Sequence, residues 1–214
     1  MAVETTPRRE EVYILYGSQS GSTEKAALAF AEEMTKKLTS ESIEEMTGTQ
    51  TNIEIMPTVM KLDEFLERKE GKWTRLVLLF LSSYGSGEAP VGAKKFRDFC
   101  DALVKQYENN NHQIKTNLPL EGLHYSMCSF GQFSFKTYFV NTSITERGLR
   151  AAGAKRIGEV AKADAKGVGE HSQANVVKRW KEEMWKPLAD FFVQEPLSEE
   201  SLKNLHERTA AIQY

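Results

Sequence analysis

A run of strongly apolar residues, LVLLFL at positions 76–81, constrains the fold of this chain more than any other feature. A strand with apolar side chains on both faces must be buried on both faces, which is typical of parallel sheets covered by helices on each side. The run is far shorter than the roughly 20 apolar residues that a membrane-spanning helix needs. It therefore predicts a central strand of an α/β domain and no membrane segment in this chain.

Shorter apolar runs and helical periodicities alternate on both sides of this strand. Because right-handed crossovers place helices on both faces of a parallel sheet, the alternation predicts an α/β fold with an open, doubly wound five-stranded parallel sheet. The stretch 39–50 is polar with little periodicity and is expected to lengthen the connection before the second strand. The predicted strands are 12–16, 52–56, 75–81, 123–129 and 155–160, and the predicted helices are 22–38, 93–107, 141–152 and 176–192, with a short helix or turn at 60–72.

The chain divides into a main domain and two flanking segments. Its 214 residues suffice for one large domain, to which we assign residues 11–193, after an N-terminal tail at 1–10. Residues 194–214 include a possible short helix at 198–208 and are interpreted as a linker or docking segment.

Charge and cysteine content narrow the classes of function. With 28 basic and 30 acidic residues, the formal net charge is -2, which disfavours nucleic acid and anionic membranes as partners. Cys100 and Cys128 form no C-x-x-C pair and no secretory leader is evident, so we expect a cytoplasmic setting, or the cytosolic face of a membrane if an anchor lies outside this chain. No metal-ligand spacing is evident, and both thiols are expected to be buried and inert.

The stretch YGSQSGSTE, residues 16–24, joins the first predicted strand to the first predicted helix. Its loop offers amides and hydroxyls but no cation, and amides at a helix N-terminus favour an anion. Lysine is missing after Gly21, so the NTPase loop is absent, and the dinucleotide motif G-x-G-x-x-G is absent as well. The loop therefore predicts a single phosphate monoester held by neutral donors. The alternative is a tight turn in which Ser22 or Thr23 caps the helix.

Two further loops follow strands that end at the same edge of the predicted sheet, where open parallel sheets bind ligands. The first, SSYGSGEAPVG at 82–92, places Tyr84 among small residues, and Gly85 and Gly87 are free to take positive φ. The second, SFGQFSFKTYF at 129–139, is rich in aromatic residues. Aromatic loops beside a phosphate site predict a flat ring held between side chains.

In this order, the three loops resemble the flavin-contacting loops of the flavodoxin-like FMN-binding domain of the diflavin reductase family, of the NADPH–haemoprotein reductase and methionine synthase reductase type. The stretch LRAAGAKRIGEVAKADAKGVG, residues 149–169, resembles the end of that domain. The resemblance extends over about residues 11–192 and implies FMN as the cofactor. Carried over residue by residue, it implies phosphate contacts at Ser18, Gln19, Ser20, Gly21, Ser22 and Thr23, and contacts to the rest of FMN at Ser83, Tyr84, Gly85, Gly87, Phe130, Gly131, Phe133, Tyr138 and Asp164.

The resemblance also implies how the ring is held, with one departure from the family pattern. The ring is expected between Tyr84 and Tyr138, with Gly85 near the ring nitrogen that gains a proton on one-electron reduction. In the third loop, the family's second glycine and its Asn or Asp are missing, and the tyrosine comes one residue late. Phe133 and Phe135 are therefore alternatives to Tyr138 as the stacking ring. The acidic run that follows the fifth strand in many relatives, and that implies docking of a basic haem partner there, is diluted here to ADAKGVGEHS at 163–172.

The function implied by the resemblance is that of an oxidoreductase module for one-electron transfer. An FAD- and NADPH-binding reductase module, on the same or a separate chain, would reduce its FMN, which would in turn reduce a haem protein or another acceptor. No nicotinamide or FAD site is visible and no catalytic residue is assigned, so this chain is not expected to oxidise NADPH alone. The alternatives are a free-standing flavodoxin electron carrier and a degenerate binding module of the same fold that has lost flavin.

Overall fold

The computed structural model describes residues 6–68, 73–83, 85–108 and 117–214. The strands of this part of the chain are β1 Arg8–Tyr16, β2 Ile53–Lys61, β3 Leu76–Ser82, β4 His124–Gly131, β5 Lys155–Arg156 and β6 Ala161–Asp164. All pairs are parallel and the spatial order is β2-β1-β3-β4-β5, with β6 also paired to β4. The predicted doubly wound parallel sheet is confirmed.

Helices pack on both faces of this sheet. A π-helical turn, Val104–Glu108, extends the fourth helix, and a 3-10 turn, Gly169–His171, precedes the sixth. The α-helices are α1 Ser22–Lys37, α2 Ser40–Thr47, α3 Leu62–Glu67, α4 Lys94–Leu103, α5 Val140–Ala151, α6 Gln173–Phe192 and α7 Glu199–Ala210.

The central strand β3 divides the core into two halves, because successive side chains of a strand point to opposite faces. Alternate residues of 76–81 belong to a cluster with α1, α2 and α6 on one face and to a cluster with α3, α4, α5 and α7 on the other. Trp180 and Trp185 lie in the first cluster. Cys100 and Cys128 are free, fully buried thiols, and burial raises the pKa of each well above its ordinary range.

The fifth strand position differs from the prediction of one strand at 155–160. Two short strands occupy it, since β5 pairs with the start of β4 and β6 pairs with its end. Between them, Gly158 takes φ +69°, and Trp180 Nε1 donates to the carbonyl of Glu159 at 2.8 Å. These two features remove the intervening residues from the ladder, so the prediction was wrong about the extent of this strand.

The stretch 39–50, which was expected to lengthen the connection before the second strand, contains the helix α2. Thr39 Oγ1 accepts a hydrogen bond from the amide of Ser42 at 3.2 Å and caps the helix. Ile43 is its one fully buried residue, and Gly48 ends it with φ +72°. One buried apolar side chain in eight residues is too little for a periodic signal.

Packing continues beyond the predicted domain limits of 11–193 at both ends. Glu10, which is 6% exposed, already belongs to β1 and accepts hydrogen bonds from Arg75 at 3.0 and 2.8 Å. Leu205 of α7 and Ile212 are buried in the second cluster. The C-terminal segment therefore packs against this domain itself.

Candidate functional site

A cavity of about 410 Å³ opens at the carboxyl ends of β1, β3 and β4. The strand order reverses between β1 and β3 at this edge, which is where open α/β sheets bind ligands. Most of the predicted site residues line the cavity: Ser18, Gln19, Ser20, Ser22, Thr23, Ser83, Gly85, Phe130, Gly131 and Tyr138.

The loop between β1 and α1 is held by its own hydroxyl groups. Thr23 Oγ1 and Ser82 Oγ donate to the carbonyl of Gly17 at 2.9 and 3.1 Å. Gly21 takes φ +85°, a left-handed conformation that suits glycine, and its N–H donates to Ser18 Oγ at 2.8 Å. The loop thus turns tightly into α1 and brings the start of this helix to the cavity.

Helix α1 begins without a capping side chain. Its N-cap residue is Gly21, so the alternative in which Ser22 or Thr23 caps the helix does not hold. The first amides of a helix have no intrahelical partner, and the helix dipole adds partial positive charge there. The N-terminus of α1 can therefore donate hydrogen bonds to an anion in the cavity.

No charged side chain of the described residues lines this cavity. The nearest acid along the loop, Glu24, accepts a hydrogen bond from Tyr16 Oη at 2.7 Å. Burial and the adjacent carboxylate raise the pKa of Tyr16 to about 12, so the phenol remains a proton donor near neutral pH. The potential that an anion would meet here comes from amides and hydroxyls.

Aromatic residues from the third loop form one wall of the cavity. Tyr138 and Phe135 line it, whereas Phe133 packs on the Tyr138 ring, with centroids 4.3 Å apart. Phe139 lies on the same ring at 4.4 Å. A Cβ built on Gly131 would lie 2.5 Å from the carbonyl oxygen of Tyr138, so the loop returns closely over the end of β4. Phe133 therefore contacts the Tyr138 ring and does not itself line the cavity.

The second loop contributes backbone groups and one unpaired hydroxyl. Ser83 N donates to the carbonyl of Phe130 at 3.3 Å, whereas Ser83 Oγ is buried without a hydrogen-bond partner among the described residues. Gly85 and Gly87 take φ +51° and +97°, the positive values that the sequence allowed. Tyr84, the other predicted ring contact, lies outside the described residues.

Three further predicted residues lie beside the cavity without lining it. Gly21 turns the first loop, and the Gly87 carbonyl accepts a hydrogen bond from Arg97 Nη1 at 3.3 Å. Asp164 Oδ1 accepts from the amides of Phe133 and Lys166 at 3.1 and 3.0 Å. The Asp164 carboxylate thus joins the third loop to the segment after β6.

Several lining residues were not among the predicted site residues. Gln173 begins α6 and donates from Nε2 to the carbonyl of Ala163 at 3.4 Å. It is far from the loops in sequence, and no local motif marks it. The others lie within or next to predicted loops, where small or polar side chains give no separate signal. These lining residues are Ser82, Gln132, Thr137, Ala165 and Gln173, and Phe135, one of the two alternatives to Tyr138 as the stacking ring, lines the cavity as well.

Neither a membrane-spanning helix nor a metal centre is found among the described residues. None of the helices there combines the length and apolar character that crossing a bilayer requires. Among the same residues, no group of three or more His, Cys, Asp or Glu side chains is arranged to hold a metal ion.

Comparison with known proteins relates this chain to two groups. Residues 49–178 match the family model described as Flavodoxin. NADPH–cytochrome P450 reductase of Saccharomyces cerevisiae is 27% identical over 77% of this chain and 20% of the relative, and that of Aspergillus terreus is 25% identical over 83% and 23%. The chain therefore spans about a fifth of the length of these curated relatives.

Solved structures show the same fold. Oxidised flavodoxin 1 of Bacillus cereus matches with a TM-score of 0.51 and 16% identity, over 84% of this chain and 97% of that chain. The flavodoxin of Streptococcus pneumoniae matches with a TM-score of 0.52 and 18% identity, over 84% and 99%.

Proposed function

The chain belongs to the flavodoxin family, and we propose that it binds FMN and passes electrons one at a time, as the FMN module of an NADPH-dependent diflavin reductase. One observation carries the proposal: an uncharged, hydroxyl-rich loop at a helix N-terminus shares a single cavity with an aromatic wall. A phosphate monoester joined to a flat ring matches this pairing. A cavity of about 410 Å³ is in the range for small cofactors.

The residues present fit this cofactor. The hydroxyls and amides of the first loop would hold the phosphate, and Tyr138 would contact the ring. Ser83 Oγ, buried and unpaired among the described residues, is a polar group that a ligand can satisfy. The proposed phosphate residues are Ser18, Gln19, Ser20, Gly21, Ser22 and Thr23, and those for the remainder of FMN are Ser83, Tyr84, Gly85, Gly87, Phe130, Gly131, Phe133, Tyr138 and Asp164.

The chain's own groups would favour one-electron chemistry. When bound, FMN supplies a ring that takes up and releases electrons. Neutral donors leave the phosphate charge unscreened at close range, so added negative charge in the cavity is disfavoured. The Gly85 carbonyl accepts from Thr137 Oγ1 at 3.2 Å. Because Gly85 has no side chain, its peptide can turn and exchange Thr137 for another donor at small steric cost.

The relatives support a modular role, and the solved structures support a second candidate. The chain spans about a fifth of the length of relatives that are named NADPH–cytochrome P450 reductase. The proposed partners are therefore an FAD- and NADPH-binding module and a haem protein or other acceptor. The proposed setting is cytoplasmic. A free-standing flavodoxin is the second candidate, because the fold matches flavodoxins over 97% and 99% of their length. A flavin-free binding module remains the alternative from another class.

The first experiment compares FMN with riboflavin, which lacks the phosphate. Flavin fluorescence titration should give a much lower Kd for FMN, because the α1 N-terminus and its hydroxyls bind the phosphate. Changing Ser20 and Ser22 together to alanine should raise the Kd for FMN and leave that for riboflavin unchanged. Thr35→Ala, on an exposed part of α1, is the matched control. Equal affinity for both flavins would refute the phosphate role, and no binding of either would favour the flavin-free module.

A second experiment addresses the NADPH partner. The FMN-loaded chain is mixed anaerobically with NADPH and its visible absorbance is followed. We expect no rapid bleaching until a separate reductase is added. Rapid bleaching by NADPH alone would show a self-contained enzyme and contradict the modular role.

A further inference from the structure

We propose that a lysine-bearing surface beside the cavity docks a protein partner whose contact face is acidic. This surface, the basic rim, consists of residues 132–139 and 162–168. The proposal rests on the proposed function only in that the partner would exchange electrons with FMN at the neighbouring cavity. The docking itself concerns the chain's own side chains.

The two segments of the basic rim form one continuous surface. The Asp164 carboxylate bonds the amide of Phe133, and the amide of Ala165 donates to the carbonyl of Gly131 at 2.8 Å. Lys162 Nζ lies 5.7 Å from the centroid of the Phe139 ring. The rim borders the cavity directly, because Ala165 lines it together with the third loop.

The charge of the basic rim is opposite in sign to that of the whole chain. Lys136, Lys162 and Lys166 are exposed, whereas Asp164 is the one acid in these two segments. Asp164 Oδ1 already accepts from two amides. The formal net charge of the chain is -2. These charges attract an oppositely charged partner that comes within about 10 Å of them, which is the Debye length at 0.1 M salt.

The rim also exposes apolar side chains between its lysines. Phe133, Phe135 and Val168 are 47%, 55% and 80% exposed and account for three of the seven large hydrophobic side chains that are exposed in the described residues. Apolar groups surrounded by polar ones are typical of protein interfaces. A protein is favoured over nucleic acid as the ligand, because the pI of the chain is near 6.2. Domains that bind nucleic acid are typically strongly basic.

Two exposed acids adjoin the basic rim. Glu88 lies on the second loop, which the rim contacts through the hydrogen bond from Thr137 Oγ1 to the Gly85 carbonyl at 3.2 Å, and Glu170 follows the rim in sequence. The positive charge is therefore confined to the three lysines between them, and a partner would be oriented with its carboxylates over those lysines.

The test uses one protein probe in two charge forms. Native cytochrome c is basic, and succinylation replaces the positive charges of its lysines with carboxylates. Binding to the FMN-loaded chain and to the flavin-free chain is measured by calorimetry at low and high ionic strength. We expect succinylated cytochrome c to bind at least tenfold more tightly than the native form at low salt, and the preference to disappear at high salt. The flavin-free sample keeps this readout independent of FMN binding.

Charge reversal locates the effect. Changing Lys136, Lys162 and Lys166 to glutamate should abolish the tenfold preference. The control variant changes three other exposed lysines to glutamate, for an identical change in net charge, and should keep it: Lys37, Lys105 and Lys155. Far-UV circular dichroism checks that both variants fold. The salt titration of the unmodified chain tests the charge preference even if neither variant folds.

Three results would overturn the proposal. One is a preference for native cytochrome c at low salt, and another is an equal loss of preference in both lysine variants. The third is a single-stranded oligonucleotide that binds the chain more tightly than succinylated cytochrome c does.

Discussion

Changing Gly131 to alanine tests whether the position of Tyr138 controls FMN binding. A Cβ at this site would lie 2.5 Å from the Tyr138 carbonyl oxygen, whereas ordinary contacts begin at 3.4 Å. The contacted atom belongs to the backbone, so no side-chain rotation can relieve the overlap. The third loop must move by roughly 1 Å, and Tyr138 moves with it.

The magnitude follows from the cost of overpacking, which is typically about 1–3 kcal/mol. The third loop is largely exposed, so it can relax when the cavity is empty. When FMN binds, the loop must return Tyr138 to its position at the cavity, and the steric overlap at residue 131 then opposes binding. Since about 1.4 kcal/mol corresponds to a factor of ten in Kd, we expect the Kd for FMN to rise by about 5- to 150-fold.

The assay is fluorescence titration with FMN, accompanied by urea denaturation of the flavin-free protein. Gly48→Ala is the matched control: Gly48 has φ +72° at the end of α2, and a Cβ there meets no atom within 4 Å. A left-handed alanine costs about 1–2 kcal/mol of stability, so this variant should unfold more easily yet bind FMN normally. An unchanged Kd in Gly131→Ala, or an equal rise in both variants, would refute the reasoning.

Two further predictions concern residues outside the cavity. Asn141 is 1% exposed and its Nδ2 donates to the carbonyl of Ser82 at 2.9 Å. Asn141→Ala removes this buried hydrogen bond and should lower the free energy of unfolding by about 1–3 kcal/mol in urea denaturation, whereas the exposed Asn175→Ala should change it little. Burial lowers the pKa of His124. As the pH falls through about 6.5, the ordinary pKa of histidine, His124 is protonated in the unfolded chain before it is protonated in the folded one. The free energy of unfolding therefore decreases as the pH falls. His124→Gln should flatten this acid-side decrease, and an unchanged pH profile would show that His124 does not cause it.

Local sequence was enough to predict the features that depend on local chemistry. The apolar run at 76–81 determined a doubly buried strand, and the hydroxyl-rich loop after β1 indicated its own turn into α1. Helix α2 was not predicted because it buries one side chain, that of Ile43, and gives no helical periodicity. Its N-terminus is fixed by the side chain of Thr39, which accepts a hydrogen bond from the amide of Ser42. The interruption between β5 and β6 also depends on tertiary structure, since Trp180 of a distant helix bonds the carbonyl of Glu159. Gln173 likewise reaches the cavity only because α6 packs across the sheet.

The third loop shows how a departure from a family pattern can be absorbed by the backbone. Its tyrosine comes one residue late, yet Tyr138 lines the cavity. Three successive turns account for this: Phe135 N donates to Gln132 O at 3.0 Å, Tyr138 N to Phe135 O at 3.2 Å, and Val140 N to Thr137 O at 3.2 Å. Because each turn folds the chain back on itself, the loop brings Tyr138 to the cavity while Phe133 and Phe135 stay 47% and 55% exposed. The same short loop therefore supplies both a candidate ring contact and the apolar part of the basic rim.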